Sequence, residues 1–417
     1  MVTGQEFAAA MAALGPFEPA PRIAAGVSGG ADSMALALLA DAWARERGGS
    51  LLALVVDHGL RPESGREAAV TAARLGTLGI VVKPLAIEGL ARGQALAERA
   101  RSARFAVLEA ACTAAGILHL LLGHHACDQA ETVLIRSLGG SGRAGMAGMA
   151  SLVETTRLRL LRPLLAVPPA RLRATLALAG VAWIEDPSNT DVAALRPRLR
   201  LLRRDRDGES SATAALVATA VASGRWRAEQ DRGAAAILAE QAVLRPEGFA
   251  VLSGQPLAAP AFAALLQTLA GARFPPATRS VVALAAAPRP ATLAGVRLLP
   301  AGRLGPGLLG VREPAAMALP VPARPGVVWD GRFRLGAAAL VPPGATLGAL
   351  GDDAARLRHL SPLPSAVLWT LPAVRLGAVL LAVPHLLYPD RKGCECFPVL
   401  YSPPRPAAAA PFWFGDA

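Results

Sequence analysis

Lysine is nearly missing from this chain: of 43 basic side chains in 417 residues, only Lys83 and Lys392 are lysines. Cysteine is scarce too. Cys112, Cys127, Cys394 and Cys396 form no CxxC pair and no disulfide framework of the kind that staples small secreted domains. Cys394 and Cys396 lack histidine neighbours to complete a closed four-ligand zinc site, so ordinary thiols are expected there. Long apolar runs are also absent. The longest uncharged stretch, near residues 248–272, is interrupted by Gln255, Pro256, Pro260 and Gln267, whereas a spanning helix needs about 20 predominantly apolar residues. Glu6 sits where a secretion signal would carry basic residues ahead of an apolar segment. The expectations are no membrane span and a cytoplasmic location.

Two common nucleotide loops are lacking. A Walker A loop requires Gly-Lys-Ser/Thr, and neither lysine follows a glycine. The loop after the first strand does not carry the GxGxxG dinucleotide fingerprint either.

Positive charge is abundant. A net charge of +12 and a pI near 11 favour an anionic partner such as nucleic acid. The Ala, Gly, Arg and Pro bias, typical of GC-rich coding, weakens that inference. Residues 1–205 carry 23 basic and 18 acidic groups (net +5) and residues 206–417 carry 20 and 13 (net +7), so both halves suit an anion.

The length allows two or three domains. Apolar strands at Ile23–Val27, Leu51–Val56, Val81–Ile87 and Leu118–Gly123 alternate with helical runs near 33–47, 65–78, 94–115 and 127–138, and another helix lies near 168–179. This is the pattern of an α/β fold: a Rossmann-like parallel sheet with helices on both faces. A boundary falls near 205–210, after the arginine-rich run Arg196–Arg206, and an Ala-rich segment follows from about Ala212 to Leu244. The expected domains are a catalytic domain at 1–205, a helical linker at 206–245 and a smaller α+β region at 246–417, with β-like pieces such as Val327–Leu335. In open α/β sheets, ligands sit beyond the carboxyl ends of the strands, so the residues just after each strand are the informative ones.

After the first strand comes Ser28-Gly29-Gly30-Ala31-Asp32-Ser33, opening a helix. Glycines let the backbone approach a phosphate, and the helix N-terminus offers unpaired N–H groups to an anion. Ser28 and Ser33 add hydroxyls, and Asp32 is suited to hold the Mg2+ that accompanies a nucleotide. The plainer alternative is a glycine turn with Asp32 and Ser33 as helix caps.

Further motifs follow. Val56-Asp57-His58-Gly59-Leu60-Arg61 ends the second strand, and Arg101-Ser102-Ala103-Arg104-Phe105 puts two arginines on one helix face. Leu122-Gly123-His124-His125-Ala126-Cys127-Asp128-Gln129-Ala130-Glu131 ends the fourth strand; its spacing places Asp128 and Glu131 on one face of the next helix. Arg162-Pro163-Leu164-Leu165, Glu185-Asp186-Pro187-Ser188-Asn189 and Arg196-Pro197-Arg198-Leu199-Arg200 come next. Taken singly, each has a bland explanation: a charged turn, a solvated helix face, an acid-rich first turn or a basic linker.

Together, over about residues 22–204, these motifs resemble the tRNA(Ile)-lysidine synthetases of the PP-loop ATP pyrophosphatase superfamily. The resemblance implies an ATP-dependent ligase that adenylates cytidine 34 of a tRNA(Ile) with a CAU anticodon and then attaches L-lysine, releasing AMP and pyrophosphate. It implies ATP at Ser28, Gly29, Gly30, Ala31, Asp32, Ser33, Asp57, His58 and Arg101, with Mg2+ on Asp32. Asp128 and Glu131 would bind lysine. Arg196, Arg200, Arg203 and Arg204 would hold tRNA, with the C-terminal region also contacting it. Asp32, His124, Asp128 and Arg198 would carry the catalysis. His124 would either orient the α-phosphate or accept a proton from the amine; the sequence leaves both open. A homodimer is part of the same expectation.

The chain departs from that pattern at Cys127, Gly139 and Pro197, where the family usually has Asp, Arg and Asn. Two rivals remain. A tRNA thiolase of the same superfamily would use cysteines near the site, and a non-catalytic ATP sensor would not need His124, Asp128 and Glu131 together.

Overall fold

The computed structural model describes residues 1–59, 63–87, 89, 93, 96–185 and 195–407. Leu60 and Arg61 of the second-strand motif, and Asp186 to Asp191 with the Asp-Pro-Ser-Asn motif, lie outside the described residues. The chain forms two compact units, one over Met1–Ala228 and one beginning at Glu229.

In the first unit, strands β1 (Arg22–Val27), β2 (Ser50–Asp57), β3 (Val81–Ala86), β4 (His119–Leu122), β5 (Leu152–Glu154) and β6 (Arg159–Leu161) form one sheet in the order β3-β2-β1-β4-β6-β5. Five strands run parallel, and β5 pairs antiparallel with β6 at one edge. The helices are α1 (Gly4–Ala12), α2 (Ala31–Arg45), α3 (Ser64–Thr77), α4 (Leu96–Ala114), α5 (Ala126–Leu138), α6 (Arg143–Met146), α7 (Pro169–Leu178), α8 (Leu195–Arg203) and α9 (Ser211–Gln241).

Burial on both faces explains the near-continuous apolar runs in the central strands. Alternate residues of β1 serve opposite layers. Ile23, Ala25 and Val27 join Leu36, Trp43 and Leu172 in one core. Ala24 joins Leu108 and Cys112 of α4 in another. The edge strand β3 tolerates Pro84 because one side of its ladder needs no donor. Because β1 lies between β2 and β4, all parallel, the segments following these three strands emerge along one edge of the sheet.

The expected strands and helices of this unit are present within a few residues. The short strands β5 and β6 and the helix α1 are additions. The division between the units falls within the 31-residue helix α9, which occupies most of the stretch read as a linker. No helix among the described residues is long and apolar enough to cross a membrane.

The second unit is antiparallel. Strands β7 (Ala242–Arg245), β8 (Phe249–Leu252), β9 (Ala291–Leu293), β10 (Val296–Pro300) and β11 (Leu308–Arg312) form a sheet in the order β7-β8-β11-β10-β9. Helices Ala259–Ala270 and Thr278–Ala286 pack in the same core as this sheet, and two smaller sheets follow. The β-like piece Val327–Leu335 is a hairpin, Val328–Trp329 against Phe333–Leu335. Its turn buries Asp330, whose carboxylate accepts from Arg312 Nε at 3.1 Å and from Arg332 Nε at 2.7 Å. Both arginines are themselves buried.

Candidate active site

The loop after β1 is shaped by what surrounds it. Gly29 has φ +85°, and a Cβ there would lie 2.3 Å from Thr71 Oγ1 and 3.2 Å from Ile184 Cδ1, so only glycine fits. The Ser33 hydroxyl accepts the Ser28 N–H at 3.1 Å and donates to the Gly30 carbonyl at 3.0 Å. Gly30 caps α2 without a side-chain hydrogen bond, which leaves first-turn amides for an anion. Asp32 stands in that first turn, and its Oδ1 is buried with no hydrogen-bond partner. An orphaned carboxylate oxygen beside a phosphate-type loop suits a magnesium ion.

A cavity of about 400 Å³ opens over this loop. Ser28, Gly30, Asp32 and Ser33 form one wall, with His58, Arg101, Arg104, Phe105 and His124 around it. Among the described lining residues Asp32 is the one carboxylate. Burial, and then the charge of Arg101, lower the Arg104 pKa; the same two causes bring Arg162 down to about 10. His124 is lowered to about 4, by burial first and then by Arg162. Its Nδ1 and the Arg162 Nε are buried without partners. Cations pressed together with little to neutralise them are the electrostatics of an anion site.

Asp57 and His58 separate. His58 lines the cavity. The Asp57 carboxylate accepts from Ser64 Oγ at 2.5 Å and from the Gly59 N–H at 2.9 Å. The Ser64 bond, then the Gly59 amide, hold its pKa below the usual carboxylate range. Asp57 thus closes the turn that presents His58.

The segment after β4 brings the carboxylates together. His125 caps α5: its Nδ1 accepts the Cys127 N–H at 3.2 Å, and the Asp128 carboxylate accepts the His125 N–H, also at 3.2 Å. Its Nε2 faces Asp32 Oδ2 at 3.4 Å and Asp128 Oδ2 at 3.6 Å. Burial opposes a charge on this ring, while Asp128 and then Asp32 pull its pKa upward. Burial would raise the Asp128 pKa, but the charges of His125 and Arg200 and the His125 backbone N–H outweigh it and keep the group a carboxylate. Glu131 is fully buried, and Arg200 supplies its counter-charge: Nε donates to Glu131 Oε1 at 2.6 Å, and an Nη donates to Asp128 Oδ1 at 3.1 Å.

The other arginines of α8 diverge. Arg198 is exposed and Arg196 half-buried. Arg203 is turned inward, donating to Thr213 Oγ1 and lying 3.6 Å from Asp205 Oδ2. Arg204 is exposed, with φ +48°, where the helix ends. The Cys127 thiol points away from the cavity, donating to the Asp205 carbonyl at 3.7 Å. Sequence reasoning gave His125 no role, although its place immediately before a helix start marks it as a cap. The sequence gives Arg162 none either, the Arg-Pro dipeptide being its one signal, and it offers Arg104 only as half of a pair with Arg101 that grips phosphate or solvates a surface.

Comparison with known proteins agrees with this geometry. Residues 4–204 match the PP-loop domain family. A tRNA(Ile)-lysidine synthase of a Bradyrhizobium species is 45% identical over 189 residues, covering 45% of this chain and 53% of the relative. The one of Rhodopseudomonas palustris is 41% identical over 211 residues, covering 50% and 61%. That of Novosphingobium aromaticivorans is 40% identical, covering 51% and 64%. The matched stretch therefore spans between half and two thirds of these relatives. Among solved structures, a U34-tRNA thiolase of Methanococcus maripaludis aligns over 54% of this chain and 78% of its own, with 16% identity and a TM-score of 0.44, too loose a likeness to carry an argument.

Proposed function

We propose, for a chain whose residues 4–204 match the PP-loop domain family, that it ligates L-lysine to C2 of cytidine 34 in the CAU anticodon of tRNA(Ile), in keeping with relatives named tRNA(Ile)-lysidine synthase. The observation that carries this proposal is the His125 imidazole, whose Nε2 stands between Asp32 of the phosphate loop and Asp128 of the carboxylate pair. It joins a triphosphate site to a site for a cation.

In the first step the cytosine O2 attacks the α-phosphorus of ATP and pyrophosphate leaves. The loop at residues 28–33 binds the departing phosphates through backbone N–H groups, and Arg101 and Arg104 offset the charge that develops on them. Asp32 Oδ1 is the oxygen available to a magnesium ion, which when bound neutralises phosphate charge. His124, uncharged at neutral pH, is a poor base and a good hydrogen-bond donor to the α-phosphate, which favours the orienting role over proton abstraction. In the second step the ε-amine of lysine attacks C2, the C2–O bond breaks and AMP leaves with its electron pair, and the amine proton passes to solvent. Asp128 and Glu131 provide the negative field that attracts the substrate ammonium, with Arg200 holding both in place.

Exposed Arg198 and Arg204, with half-buried Arg196, provide positive charge for the tRNA backbone. The tRNA contacts of the second half, homodimerisation and a cytoplasmic location rest on the resemblance alone. The thiolase alternative has less support, since the Cys127 thiol is directed at Asp205 and not into the cavity. The test is incorporation of radiolabelled lysine into tRNA(Ile) bearing CAU, with and without ATP. Incorporation that requires ATP supports the proposal, and none under either condition refutes it.

A further inference from the structure

We infer that Asp205 is a positioning residue: the turn it organises sets Arg200 over Asp128 and Glu131, and through them sets the affinity for the amino-acid substrate. The inference rests on the lysine-ligase reading above.

Asp205 gathers the turn between α8 and α9 around one carboxylate. Its Oδ1 accepts the N–H groups of Gly208 at 2.9 Å and Glu209 at 3.2 Å. Its Oδ2 accepts the Ser210 N–H at 3.3 Å and the hydroxyls of Ser210 and Thr213. Arg203 reaches the same oxygen and the same threonine. Arg203 lies three residues after Arg200 on α8, so both stand on one helix face, a turn apart. Fixing one fixes the axial rotation that aims the other.

The turn is in turn seated on the helices that frame the site. Gly208 has φ +72°, and a Cβ there would lie 2.6 Å from Pro169 Cδ and 2.9 Å from Cys127 Sγ. The Cys127 thiol donates to the Asp205 carbonyl, the Ala170 N–H donates to the Asp207 carbonyl at 3.2 Å, and Arg173 pairs with the Asp207 carboxylate. Cys127 directly precedes Asp128, so the turn grips the same helical turn that carries the carboxylate. A compact thiol leaves room for this approach. An arginine side chain gives up rotamer freedom when immobilised, and anchoring its helix at Asp205 reduces how far Arg200 must search.

The test is the full-length Asp205→Asn variant, in which one amide oxygen still accepts the Gly208 and Glu209 N–H groups but the charge that holds Arg203 is gone. Expected is a rise of about tenfold in the KM for lysine, the lower range for losing an outer partner of a site, with the KM for ATP unchanged. Thr213→Val, which deletes the hydroxyl shared by Asp205 and Arg203 and keeps the shape, should give a smaller rise in the same constant. A lysine KM unchanged in both variants, or lysine and ATP constants rising together, overturns the inference. A wild-type protein that incorporates no lysine refutes the functional reading instead. In that event crystal structures decide this inference separately: Arg200 displaced from Glu131 in Asp205→Asn supports it, and an unmoved Arg200 overturns it.

Discussion

The imidazole Nε2 of His125 lies 3.4 Å from Oδ2 of Asp32, although the two residues come from different loops of the sheet, after β4 and after β1. This contact leaves the other Asp32 oxygen unsatisfied and turns a cap of α5 into a support for the phosphate loop. Asp32→Asn should therefore reduce pyrophosphate release by at least about a hundredfold, the scale on which electrostatic groups act in transition states. Release at the wild-type rate would remove Asp32 from the site.

His125→Ala removes both the cap and the support. The lost cap alone should lower stability by about 1 kcal/mol, which urea unfolding measures. Turnover should fall far more than this loss of folded protein explains. A variant with reduced stability and normal turnover would make His125 purely structural.

Arg200 and Glu131 differ in exposure, and the difference gives their substitutions different weights. The Glu131 side chain is wholly buried and that of Arg200 is 37% exposed. Arg200→Met strands a buried carboxylate and should cost about 3 kcal/mol, whereas Glu131→Gln lets the guanidinium turn to water and should cost less. Adding Glu131→Gln to Arg200→Met should recover part of the loss. A double variant less stable than Arg200→Met would contradict the pairing.

Acid should loosen the Asp205 turn. Burial would raise this carboxyl, but bonds from Ser210 and Thr213 outweigh it and bring its pKa down from 3.8 to about 2. A carboxyl that is more acidic in the folded chain than in the unfolded one stabilises the fold above the unfolded pKa, and that contribution fades as pH falls through the folded one. The stability advantage of wild type over Asp205→Asn should hold at pH 5 and shrink between about pH 4 and 2. An advantage independent of pH would show that the carboxylate charge is irrelevant.

Much of this was legible in the sequence because parallel α/β architecture concentrates signal. The central strands read as apolar runs since they are buried on both faces, and the phosphate loop is short, local and glycine-dependent. The carboxylate pair was legible from helical spacing. What escaped notice depends on contacts distant along the chain. Nothing local announces that Arg200 will reach across to Glu131, or that Arg203, read as a nucleic-acid contact, will turn inward to an Asp205 shared with Thr213. The sequence points to His124 because it ends the fourth strand, where residues face the ligand. His124 does line the cavity, but the residue that ties the two halves of the site together is the next one along.

The buried Asp330, answering Arg312 and Arg332 at once, has a practical consequence. Replacing it with asparagine leaves two guanidinium groups in the interior without a counter-ion, so the part of the chain beginning at Glu229 should open to proteases while residues 4–204 stay resistant. Such a selectively softened protein offers a way to apportion the work. ATP consumption that survives while use of full-length tRNA fails would assign RNA capture to the second unit.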